Sequence, residues 1–86
     1  MNHVYLMKTV QPIFKKDGTL SHHMESVMVH RERPKAITQL EYEVKFYGFE
    51  PKTPLIDKFE HYSVNYEKDG SFFHFSVIMT KVYQDG

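Results

Sequence analysis

The tripeptide Lys-Asp-Gly occurs twice, at Lys16-Asp17-Gly18 and Lys68-Asp69-Gly70, each time between runs rich in β-branched and aromatic residues. Asp-Gly in that setting is the strongest short-range signal for a tight hairpin, because glycine adopts the positive φ that the favoured turns require. Two chain reversals therefore divide the sequence into hairpins with calculable pairing.

If Asp17-Gly18 is a two-residue loop, the first hairpin places Tyr5 opposite His30, Leu6 opposite Val29 and Met7 opposite Met28. One side then carries Val4, Leu6, Val10, Phe14, Val27 and Val29, and the other carries Tyr5, Met7, Ile13, Met24 and Met28. Apolar residues on both sides point to a central ribbon covered on each face. The same arithmetic at Asp69-Gly70 sets Tyr66 against Phe73, Val64 against Phe75 and Tyr62 against Val77. The reverse of that hairpin, from His61, Ser63 and Asn65 to His74, Ser76 and Thr80, reads as half solvated.

The middle of the chain fits two templates. As a strand, Leu40, Tyr42, Val44 and Phe46 share a face in full alternation. As a helix, Ile37, Leu40, Val44 and Tyr47 form a stripe, Thr38 with Glu41 resembles a capping box, and Gly48 serves as the C-terminal cap. The unbroken alternation favours the strand over 37–47, with a helix at about 35–47 as the alternative. Thr53-Pro54 then looks like a helix start, with Leu55, Ile56 and Phe59 on one face of a short helix over 54–60.

Residue balance agrees with sheet, since alanine occurs only at Ala36 while there are seven Phe and six Tyr. The expectation is a single small domain over 1–86, of α+β class and mainly antiparallel β. About five strands (3–14, 20–31, 37–47, 62–67 and 71–83) form a small curved sheet or open barrel with one short helix. The alternative is a ββαββ order.

Function is bounded mainly by exclusion. No cysteine is present, which removes disulfides, thiolate metal sites and cysteine nucleophiles, so the chain relies on its apolar core or on a partner subunit. Eleven basic residues balance eleven acidic ones. That neutrality supplies no phosphate-neutralising excess, which makes nucleic acid the lesser reading. Apolar runs are too short to span a bilayer and the amino terminus lacks an export signal, so the expected location is cytoplasmic, with no membrane association. The abundance of Phe, Tyr, Met and Lys over Gly, Ala, Arg and Pro suggests a low-GC genome, such as that of a bacterium or phage.

Six histidines are the one chemically versatile group. His22 and His23 point to opposite strand faces, and His61 and His74 lie about 13 Å apart on the second hairpin, too far for one ion. His3 and His30 approach each other more closely, at the frayed strand ends. Ser63, Ser76 and His74 share a face, but no carboxylate is placed to orient the histidine for nucleophilic catalysis. We therefore expect no catalytic residue, no metal site and no cofactor.

What remains is binding. The candidate protein interface is an apolar patch of Tyr5, Met24 and Met28 rimmed by Arg31 and Arg33, where flexible thioethers make an accommodating contact for a protein partner or a second copy. A small accessory protein is expected, of the regulatory or inhibitory kind carried by phages and mobile elements. The competing reading is a single-strand nucleic-acid binder, with Phe72, Tyr47, Phe49 and Tyr83 as stacking aromatics and Lys52 and Lys68 as supporting cations. Its candidate contacts are Lys45, Phe72 and Lys81.

Overall fold

The computed structural model describes residues 2–82. The elements are β1 (Asn2–Phe14), β2 (Leu20–His30), α1 (Arg33–Phe46), β3 (Ile56–Asp57), β4 (His61–Lys68) and β5 (Ser71–Val82). All strand pairings are antiparallel, in one open sheet of order β2-β1-β5-β4-β3. The α+β, mainly β class read from the sequence is the class observed.

Both hairpins form where the glycines place them. Asp69 and Gly70 both have positive φ, 53° and 78°, giving the two-residue turn whose twist matches the flanking strands. Tyr66↔Phe73, Val64↔Phe75 and Tyr62↔Val77 follow. The first hairpin reaches its expected register by a different route. Its loop is one residue longer: the Gly18 amide donates to the Lys15 carbonyl (3.0 Å), the Lys15 amide donates to the Thr19 carbonyl (2.8 Å), and Gly18 has φ +87°. A bulge at Ser21, between the pairs Ile13↔His22 and Phe14↔Leu20, restores the ladder so that Tyr5 still meets His30. The Asp17 carboxylate accepts from the Thr19 amide and hydroxyl, which holds its pKa below the usual carboxylate value.

The segment expected as a strand over 37–47 is a helix, as in the alternative template. Ala36, Leu40 and Val44 are buried at spacings of four, whereas Tyr42 and Phe46, which the strand template would bury, are 62% and 69% exposed. Pro34 in the first turn presets a helical φ, and the start lies before Thr38, whose hydroxyl donates back to the Pro34 carbonyl (2.9 Å) rather than capping. At the other end the Gly48 amide donates to the Lys45 carbonyl (2.9 Å) and the Phe49 amide to the Val44 carbonyl (3.0 Å), with Gly48 at φ +85°. This is a Schellman ending, and it turns Phe49 onto the core.

The helix expected over 54–60 is absent. Ile56–Asp57 instead pairs with Ser63 and Tyr62, and a tight turn closes through Lys58 and His61. A helix of that length is marginal alone, whereas pairing with β4 satisfies the same backbone groups with a ready partner.

Helix α1 covers only one face of the sheet. Met7, Val64, Tyr66, Phe75 and Val77 lie beneath it and pack with Ala36, Leu40 and Val44, and the rings of Tyr47, Phe49 and Phe73 close one end. Fourteen residues of helix reach about 21 Å, but thirteen residues of strand reach about 43 Å. The first hairpin therefore outruns its cover, and the molecule measures 51 × 30 × 18 Å. The expected central ribbon, covered on both faces, is thus corrected: β1 is central, but β2 is an edge strand, and among the described residues no element lies over the second face.

Candidate functional site: the exposed edge strand β2

Strand order determines which surface is left over. Every residue of β2 from Leu20 to Val29 is exposed. Among them Leu20 is 48% exposed, Met24 41%, Val27 51%, Met28 46% and Val29 63%. Long exposed apolar edges are uncommon because their unpaired N–H and C=O groups template pairing with another chain, and proteins ordinarily blunt them with lysine, proline or brevity. Between Leu20 and His30 there is no lysine, arginine or proline, and Glu25 is the one acidic residue. Its carboxylate is ion-paired with Lys8 on the neighbouring strand. The opposite edge is blunted, since β3 has two residues and follows Pro51 and Pro54.

The two faces of β2 differ. Met24 and Met28 lie on the side of α1, with Met28 directly across from buried Met7, while Leu20, beyond the bulge, pairs with Phe14 on the other face. Glu25, Val27 and Val29 lie on the uncovered side, in rows that continue through Lys8 to Ser76 and through Leu6 to Ile78. Near the tip the ladder between β1 and β5 ends at Val10↔His74, two positions before the register would set Pro12, which has no N–H to donate, against Phe72. Beyond that point β1 and β2 continue as a two-stranded ribbon, and Phe72 is left 61% exposed.

The expected interface residues separate on inspection. Met24 and Met28 are exposed on one face, and Arg31 is exposed beyond the end of β2. Tyr5 and Arg33 are occupied within the fold. The Arg33 Nε–H donates to the Phe59 carbonyl (3.0 Å), its Nη2 to the Lys58 carbonyl (3.4 Å), and its guanidinium stacks 5.2 Å from the Phe59 ring centroid. Phe59 in turn meets Tyr5 edge to face at 6.3 Å. This clasp joins the start of α1 to the β3–β4 turn. Val27, Val29 and Leu20 belong to the exposed surface instead.

The expected nucleic-acid contacts are not brought together. Phe72 lies on the uncovered sheet face beside the second turn, Lys45 on the last turn of α1, and Lys81 opposite His3 near the far end of β5. Nine residues of strand, about 30 Å, separate Phe72 from Lys81. Tyr83 lies outside the described residues.

Two other places have chemical character. On the uncovered face, the His74 Nδ1–H donates to Asn65 Oδ1 across the second hairpin. Burial, with nearby Lys8 and His61, holds the His74 pKa below the ordinary histidine value. Ser76, two residues on, is 1% exposed and its hydroxyl has no hydrogen-bond partner among the described residues, so His74 is oriented by the Asn65 amide and makes no hydrogen bond to that hydroxyl. Between α1 and β4 a cleft of about 220 Å³ is walled by Leu40, Val44, Val64 and Tyr66, with Lys45 and Lys52 at its border. That is smaller than the roughly 300–1,000 Å³ of a typical small-molecule site. Among the described residues no three histidine, aspartate or glutamate side chains are grouped to hold a metal ion, and no helix is long and apolar enough to cross a membrane.

Along β2, the exposed large hydrophobic side chains are Leu20, Met24, Val27, Met28 and Val29. Comparison with known proteins returns no matching family model, no matching curated protein and no matching solved structure.

Proposed function

We propose that this protein is a non-enzymatic binding module that docks another polypeptide along β2, by addition of a strand to the sheet edge. In that mode main-chain hydrogen bonds supply affinity and alternate side chains supply selectivity. Met24 and Met28 line one side of the added strand and Val27 and Val29 the other, with Arg31 as the polar margin. The reading is carried by one observation: an eleven-residue strand whose exposed edge has no lysine, arginine or proline, and whose one carboxylate is paired with Lys8. An accessory role, exerted by occupying a partner rather than by chemistry, accords with the balanced charge and the absence of cysteine.

Photo-cross-linking in the source cell tests it. A benzoylphenylalanine at position 27 is expected to yield a discrete polypeptide adduct, identified by mass spectrometry, while the same group at Lys68 on the far turn yields none. Equal labelling at both positions, or none at 27, contradicts the reading.

A further inference from the structure

We infer that the polypeptide added to β2 is the β2 strand of a second copy, paired antiparallel about a two-fold axis at Ser26; this rests on the edge-docking reading above. The register follows from where the strand is regular. The ladder with β1 runs without interruption from Tyr5↔His30 to Ile13↔His22, and the bulge at Ser21 ends it. Nine residues, His22–His30, are therefore available for a straight pairing, and their midpoint is Ser26.

A two-fold axis perpendicular to the sheet keeps both helices on the same side and pairs residues that share a face. Centred on Ser26, it sets Met24 against the second copy's Met28, and Met28 against its Met24, so four thioether side chains meet on the α1 side. No charged residue faces another: Glu25 meets Val27, and its carboxylate is already neutralised by Lys8. Moving the centre to Glu25 would put two carboxylates directly opposite, which is destabilising. Moving it to Val27 would break up the methionine pairs, setting Met24 against His30 and Met28 against Ser26. Moving it to Met24 would draw the bulged Ser21 into the ladder. The assembly closes at two copies, because the other edge, the two-residue β3 beside its prolines, cannot continue the sheet.

The test uses the complete chain, which has no cysteine of its own. Opposed residues at the axis have Cα atoms about 4.5–5.5 Å apart, within disulfide range, whereas Val29 lies about 20 Å from its copy. Light scattering is expected to give twice the chain mass of 10.3 kDa. Mild oxidation is expected to link Ser26→Cys into a covalent dimer and leave Val29→Cys unlinked. Met28→Lys, at an exposed position, is expected to return the mass to that of one chain with an unchanged far-ultraviolet circular dichroism spectrum. If that variant loses its fold, the two cysteine variants decide alone. A single-chain mass for the natural sequence, or Val29→Cys linking faster than Ser26→Cys, overturns the proposal. An adduct of another polypeptide at position 27 in that case preserves edge docking, and its absence removes both.

Discussion

Individual side chains show which of two periodicities governs the middle of the chain. Leu40 and Val44 are four apart, a spacing that keeps them on one face of either a strand or a helix, so they cannot distinguish the two. The discriminating residues are Ala36, Tyr42 and Phe46, and the first is buried while the other two are exposed. Leu40→Ala is accordingly expected to cost about 2–5 kcal/mol and Tyr42→Ala no more than about 0.5 kcal/mol, measured by urea unfolding. A large loss at Tyr42 would restore the strand. His74 gives a second prediction at this scale. Its pKa is lowered in the fold, so the unfolded chain binds the proton more readily, and stability rises with pH in that window. The histidine contribution is expected to be fully present above about pH 6.5 and lost progressively below it. Between urea midpoints of the natural chain and of His74→Phe, the difference is expected to shift in favour of the variant as pH falls through that range; a difference constant with pH would show that another group titrates.

At the scale of elements, local chemistry was legible and strand order was not. Both turns could be located from Asp-Gly, and because a register change of one residue reverses every side chain, the hairpin faces came with them. Even with a three-residue loop at Gly18, the bulge at Ser21 returned the pairing to the same register. The edge position of β2 depends instead on β5 pairing with β1, a contact between residues more than sixty apart in sequence. For that reason Met24 and Met28 were identifiable as a patch, while Val27 and Val29 were assigned to a covered side. Thr53-Pro54 misled for a related reason: its capping chemistry is sound, but the edge of β4 offered Ile56 and Asp57 a better set of partners. Because β2 makes no contribution to the buried cluster, Val27→Thr is expected to change stability by no more than about 0.5 kcal/mol by urea unfolding. A loss of several kcal/mol would show that β2 is part of the core.

Over the whole molecule, one helix on a five-stranded sheet leaves many large hydrophobic side chains exposed, from Phe14 and Val29 on the first hairpin to Phe46 on the helix and Phe72 on β5. Small domains without disulfides commonly resolve that imbalance by association, and here the exposed surface has a direction, since one edge is blunted and the other is bare. The tapering from a packed centre to an uncovered hairpin explains the long axis of 51 Å and places the docking strand at the side of the molecule away from the β3–β4 turn. Amide hydrogen exchange on the protein as isolated tests whether that edge is covered. In the free chain the β2 amides that face away from β1 have no partner and exchange within the dead time of the experiment. The expected result is that outward-facing amides between His22 and His30 are protected to the level of their neighbours in β1, and lose that protection on dilution or in Met28→Lys. Full exchange of those amides at every concentration, with β1 and β5 still protected, would contradict it.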